Sequence, residues 1–300
     1  MKTPSCLEGN GGDVRTRVKY LQPDSKNVRY FSKGIEVNTG KYDDVSVVIR
    51  DARPNKDEYT LENGGFALIQ HRSKLTDFYA REQLDTIYSA EVASLVKSLT
   101  GADDVVIFSP PVLRRTEAKV GSAYQPRAAD VHTDYSPGNA EDAAPKHAKE
   151  DMKYSRFAFI NVWRAITPPP QDWPLAVVDA RSVNRDEGIP YPMIVVDKIP
   201  EKLPIVPQPP YTIEGANFSF KPEHRWYYFR DMEIDEALVF KLYDSDRHHG
   251  SESWRCPHTA FFNPTEGTIP RESVEVARLS RALIPGEKHS GESEWVLEGP

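Results

Sequence analysis

The chain has 300 residues, 39% of them hydrophobic, and its 38 lysines and arginines against 45 aspartates and glutamates give a formal net charge of −7. That is enough apolar material for a substantial globular core. Acids and bases are intermingled with no basic face, which argues against nucleic acid as a partner, and no apolar run is long enough to span a bilayer, so no membrane is expected.

Taken in chain order, the opening MKTPSCLEGNGGDVRTRVKY lacks the apolar core of a secretory signal. Two cysteines, Cys6 and Cys256, are too few and too far apart for a disulfide framework or a CxxC motif. A cytosolic protein with reduced thiols is the expectation. The first forty residues are polar and contain glycines, and read as a loosely structured arm with a short strand at 28–31. β-type runs follow at 45–49 and 66–70. Leu84, Ile87, Tyr88, Val92, Leu95, Val96 and Leu99, spaced by three and four, then put one apolar stripe on a helix that Gly101 is placed to end.

Beyond a strand at 105–108 the chain alternates short β-type runs with proline-rich connections. The runs fall at 157–166, 175–178, 193–196, 226–229, 237–243, 254–262 and 274–283. TPPPQDWP (167–174) and IPEKLPIVPQPPY (199–211) lack ladder N–H groups and read as surface loops. GNAEDAAPKHAKEDMK (138–153) is charged and reads as a solvated helix or loop rather than a lid. The expected fold is mainly β with flanking helices, in one domain: residues 1–125 buttress a sheet-rich core at 126–290.

Within that core VHTDYSP (131–137) sets His132 and Asp134 two apart, so that on a strand both project to one side. Two histidines and a carboxylate on one face of an iron ion leave adjacent positions open for substrates. The third ligand must come from far along the chain. His248 and His249 lie in the polar SDRHHGSES, whereas His258 lies in WRCPHTAFF among apolar residues and is the better candidate. NPTEGTIP (263–270) reads as a hairpin turn that brings Arg271 and Ser273 back opposite His258. An arginine there can grip the distal carboxylate of a 2-oxo acid, with the serine hydroxyl adding a hydrogen bond. Arg278 and Arg281 are weaker candidates, Arg281 lying on the order of 30 Å along the strand at about 3.3 Å per residue. Each piece alone has an ordinary explanation: HxD as a surface pair, His258 as a hydrogen-bonded core histidine, Arg271 as a surface charge.

The blocks HTDYSP, INVWRAI, WPLAVVDARSV, RWYYFRDMEIDEALVFKLYDSD, PHTAFFNP and PRESVEV, with GGFALIQHRS and LTGADDVVIF upstream, resemble a known family over residues 45–284. It is the Fe(II)/2-oxoglutarate oxygenases that include the cephalosporin 7α-methoxylase component, gibberellin desaturase-like proteins and fungal meroterpenoid oxygenases. The resemblance implies a double-stranded β-helix, or jelly roll, with His132, Asp134 and His258 as the iron triad and Arg271 and Ser273 at the 2-oxoglutarate. Asn161 and Trp163, with Arg164, match a block whose strand passes near that cofactor. The family commonly places an arginine where this chain has Ala277, which puts the anchor less firmly than the triad. The implied reaction consumes 2-oxoglutarate and O2, and a ferryl species abstracts hydrogen, leading to hydroxylation, desaturation or endoperoxidation. Tyr124, Tyr135 and Phe262 are expected to line the pocket of a bulky, mostly apolar small-molecule substrate such as a terpenoid. A zinc-dependent hydrolase and a metal-free jelly-roll binding module are the alternatives. The oligomeric state is open, a homodimer included.

Overall fold

The computed structural model describes residues 11–32, 34–107, 109–117, 124–147, 154–203 and 213–283. Among these, one sheet holds ten strands, in the spatial order Val14–Leu21, Tyr42–Asp51, Trp226–Tyr228, Leu175–Val178, His258–Ala260, His132–Thr133, Ile213–Asn217, Ile189–Val195, Arg29–Ser32 and Ile35–Asn38. A second holds seven: Phe66–Gln70, Glu236–Asp244, Tyr154–Ala165, Glu272–Leu283, Val112–Arg115 and Gln125–Pro126 in a row, with Asp104–Ile107 also paired to Glu272–Leu283. From residue 132 onward the chain passes back and forth between the two sheets. This is the jelly roll, mainly β with flanking helices.

The alternation of side chains along Tyr154–Ala165 shows why this strand is central. Phe159 and Trp163 point into the cluster between the sheets with Phe240 and Val177, while Ile160 and Val162 point outward into a second cluster with Leu84, Tyr88, Val92 and Val96. Both faces are therefore buried. A third cluster takes Ala176 and Val178, the neighbours of Val177, and so lies on the other face of the larger sheet.

The helical run covers Arg81–Gln83, Leu84–Tyr88 and Ser89–Thr100, and its middle piece is a π-turn. The wider turn rotates Ile87 away from the stripe, leaving it 40% exposed, whereas Leu84 and Tyr88 are fully buried. Gly101 ends the helix at φ 63°, as its position predicts. Leu84→Ala is expected to cost about 2–5 kcal/mol by leaving a cavity, and Ile87→Ala less than about 0.5 kcal/mol. Urea unfolding of the two variants measures the difference.

Two expectations need correction here. The first forty residues are not a loose arm beyond residue 14: Val14–Leu21 pairs along its full length with Tyr42–Asp51, and Arg29–Ser32 pairs with both Ile189–Val195 and Ile35–Asn38. Charged residues on the solvent face of VRTRVKYL mask the alternation of Val14, Val18 and Tyr20 beneath. The turn at 263–270 does not fold Arg271 back onto the His258 strand. His258–Ala260 pairs with Leu175–Val178 and His132, whereas Glu272–Leu283 pairs with Tyr154–Ala165 in the opposite sheet. Turn residues mark where a chain reverses and carry no information about which sheet it then joins.

The charged segment after the HTD motif opens as a helix, Pro137–Lys146, with Ala140 and Ala144 buried and Ser136 Oγ accepting from the Asn139 N–H. Residues 148–153 and most of 199–211 lie outside the described residues.

Candidate active site

His132 and His258 are directly paired neighbours on adjacent strands of the larger sheet, with ring centroids 4.5 Å apart. Only His132–Thr133 of the motif is strand, and the chain bends at Asp134. That bend brings the Asp134 carboxylate to 3.5 Å from His132 Nε2 and 3.9 Å from His258 Nε2. The three ligand atoms all lie within 4.8 Å of one another.

Both imidazoles are held from behind. The Asp130 carbonyl lies 2.8 Å from His132 Nδ1 and the Cys256 carbonyl 3.2 Å from His258 Nδ1. Each Nδ1 thus carries the donated proton, and each Nε2 faces the carboxylate, which leaves the Nε2 atoms as the ones that would serve a metal. Phe240 packs on the His258 ring at 4.8 Å between centroids. Burial alone would raise the Asp134 carboxyl, but the hydrogen bond from His132 and the positive charges around it hold it well below the ordinary range. His132 moves up: burial opposes its charge, and Asp134 outweighs that. Burial and the neighbouring His132 push His258 down to about 4. One imidazole shares a proton with the carboxylate while the other stays neutral, a donor set ready to exchange that proton for a cation.

A cavity of about 420 Å³ opens beside Asp134. Its apolar wall comes from Phe31, Ile35, Met193, Val195 and Ile213, and its other side carries Arg114, Asn161 and Glu275. Of the sequence-derived pocket residues, Tyr124 and Tyr135 line it. The Arg115 guanidinium sits 3.6 Å above the Tyr124 ring, and Tyr135 stacks on Phe159 at 4.6 Å. Phe262 does not line it. That side chain is 49% exposed and leans on Trp173 outside the cavity, because it falls just beyond the His258–Ala260 strand, where the chain leaves the sheet. Asn161 faces the cavity with its carboxamide oxygen buried and without a hydrogen-bond partner among the described residues.

Arg271 is 2% exposed. Its Nε donates to the Trp173 carbonyl at 2.8 Å and its Nη1 to Ser273 Oγ, and its guanidinium lies 5.8 Å from the Trp163 ring centroid. Among the described residues no carboxylate lies within ion-pair reach of the guanidinium, although the Asp172 carboxylate accepts from the Arg271 main-chain N–H at 2.8 Å. Burial, reinforced by Arg114 and Arg127, pushes its pKa down to about 10, so it remains a cation at neutral pH. Arg164 points the other way, to Tyr88, His71 and the Ile234 carbonyl. Arg281 is committed to Asp104 and the His147 carbonyl, and the Arg278 side chain is outside what is described. Sequence reasoning missed Arg114, which donates to Glu275 at 2.7 Å and to the Pro126 carbonyl. Its only signal was a cation one pleat from Val112 on an inward face.

Two imidazoles, one carboxylate and a buried guanidinium with no ion-pair partner among the described residues fit a mononuclear ion chelated by a small dianion. On a jelly roll, the class this defines is the non-haem Fe(II), 2-oxo-acid-dependent oxygenase. A family model described as "Oxidoreductase/YMDC permease-like domain" matches residues 18–283. The Fe(II)/2-oxoglutarate-dependent dioxygenase nvfI of Aspergillus novofumigatus is 34% identical over 244 residues, covering 78% of this chain and 82% of that protein. The alpha-ketoglutarate-dependent dioxygenase phiK of a fungal species is 31% identical, covering 92% and 99%. The hydroxylase/desaturase efuI of Hormonema carpetanum is 28% identical, covering 80% and 84%. The solved structure of the iron and alpha-ketoglutarate-dependent endoperoxidase NvfI superposes with a TM-score of 0.73 at 28% identity, over 91% of this chain and 99% of that one. The chain belongs to this family of Fe(II)/2-oxoglutarate-dependent dioxygenases. No helix among the described residues is long and apolar enough to cross a membrane.

Proposed function

We propose that the chain oxidises a bulky, mostly apolar secondary metabolite such as a meroterpenoid, with His132, Asp134 and His258 holding Fe(II) and Arg271 and Ser273 receiving the distal carboxylate of 2-oxoglutarate. The observation that carries this reading is the convergence of the three ligand atoms within 4.8 Å, with Asp134 in the wall of the cavity. Bound iron and 2-oxoglutarate supply, with O2, an oxidant that removes hydrogen from an unactivated C–H bond.

The chain's own residues do the positioning. The Asp130 and Cys256 carbonyls fix the two imidazoles, and Trp163, Ser273 and the Trp173 carbonyl fix the guanidinium. Asn161, whose oxygen has no partner among the described residues, is a polar contact for whatever sits between iron and cavity. The cavity volume lies in the range of small-molecule pockets, and its apolar wall suits a terpenoid skeleton. Tyr135, flat on Phe159, serves as wall. The relatives' names span endoperoxidase and hydroxylase/desaturase, and the pocket contacts of the substrate radical choose among these outcomes. A cytosolic location accords with the buried free thiol of Cys256.

Anaerobic titration of the metal-free protein with Fe(II) and then 2-oxoglutarate is expected to develop the visible charge-transfer band of the chelate. Iron binding without a band would leave a metal protein of another class, such as a hydrolase. No metal binding would leave a jelly-roll binding module.

A further inference from the structure

Behind His132 lies a buried polar network that the chemistry above does not use. The Asp130 carboxylate accepts from Arg29 Nη2 at 2.5 Å and from Asn217 Nδ2 at 2.6 Å. Arg29 and Asp130 are 2% and 4% exposed. Arg29 also donates through Nε to Asn38 at 2.9 Å and lies 4.7 Å over the Tyr191 ring. Asn217, the cross-strand partner of His132, is held in turn by Asn27 Nδ2 at 3.0 Å. The same Asp130 presents its main-chain carbonyl to His132 Nδ1. Arg29 begins the hairpin whose Phe31 and Ile35 line the cavity.

We propose that Arg29 is a positioning residue for the metal centre. By locking Asp130 it aims the carbonyl that orients the His132 imidazole, and it ties the cavity-lining hairpin to that ligand. Removing a group behind a metal ligand weakens metal binding by about 10- to 100-fold. A purely structural ion pair would lower the stability of the metal-free protein and leave the metal site as it was. The inference rests on His132 being a ligand.

The test uses Co(II) as the probe, with affinity and ligand-field spectrum read by titration of the metal-free protein. Arg29 also pairs with the Glu36 carboxylate at 3.4 Å, so Arg29→Met alone strands two carboxylates and threatens folding. The informative variant is Arg29→Met with Asp130→Asn and Glu36→Gln, which removes all three charges and leaves Asn217 an acceptor. Its Co(II) affinity is expected to fall about 10- to 100-fold with a changed spectrum, while the control Arg281→Met with Asp104→Asn, a buried pair in the other sheet, keeps wild-type affinity and spectrum. Wild-type affinity and spectrum in the Arg29/Asp130/Glu36 variant would overturn the proposal alone. A wild-type protein that takes up no Co(II), or whose uptake survives His132→Ala, would overturn the triad and this role with it.

Discussion

Asp134→Ala is expected to fold and to lose its metal: Fe(II) affinity should drop by more than about 10³-fold, beyond the 10- to 100-fold loss caused by removing a group behind a ligand. Turnover should go with it. The fold survives because Asp134 is 28% exposed and sits in the bend after the His132–Thr133 strand. Without the carboxylate both imidazoles are simply buried and neutral, each still donating from Nδ1 to its carbonyl. Far-UV circular dichroism and metal analysis check both halves of the expectation. The metal-free proteins should also differ in pH dependence. The depressed carboxyl of Asp134 stabilises the fold above the ordinary aspartate pKa of about 4 and loses that effect as pH falls. The raised imidazole of His132 stabilises below about 6.5 and loses its effect as pH rises through the folded value. The two describe one ion pair, so the stability gap between wild type and Asp134→Ala should be widest between about pH 4 and 6.5 and narrow on both sides. A gap independent of pH would mean that the pair does not form, and retained Fe(II) binding would remove Asp134 from the triad.

The clustering of His132, Asp134 and His258 was legible because it is written in residue types and order: a histidine and an aspartate two apart, and a second histidine among apolar neighbours. The run at 157–166 was legible as β-type, while its central place, buried on both faces, shows only in the fold. Other features depend on pairings between residues far apart in sequence. Arg29 reads as a surface charge until Asp130, a hundred and one positions on, is seen to bury against it. Arg271 was singled out as the 2-oxoglutarate anchor through a hairpin onto the His258 strand, but its strand joins the sheet opposite His258, and its burial was not legible. Two distant strands that face each other across a core present the same side chains to it as two strands of one hairpin. Ile87 was misassigned because the helix period changes at the π-turn, and local spacing analysis assumes a constant period.

Arg271→Ala is expected to abolish the charge-transfer band at 2-oxoglutarate concentrations that saturate the wild type, with Fe(II) binding itself unchanged. Taking one partner from a buried, hydrogen-bonded charge pair costs about 3–5 kcal/mol, which at about 1.36 kcal/mol per tenfold raises the dissociation constant roughly 10²- to 10⁴-fold. The size follows from the surroundings of the guanidinium. It is almost fully buried, oriented by Trp173 and Ser273, and has no carboxylate partner among the described residues. An incoming carboxylate therefore meets a cation whose desolvation has already occurred on folding. Arg271→Lys keeps the charge but loses the planar fork, and should fall between the two. Arg114 is the competing cation, because it stands in the cavity wall and influences Asp134. Its charge is already matched by Glu275 at 2.7 Å, so a new carboxylate gains less there, and Arg114→Met should leave the band in place. The reverse pattern, with the band surviving in Arg271→Ala and vanishing in Arg114→Met, would move the anchor to the neighbouring strand and leave the buried charge of Arg271 to a purely structural role.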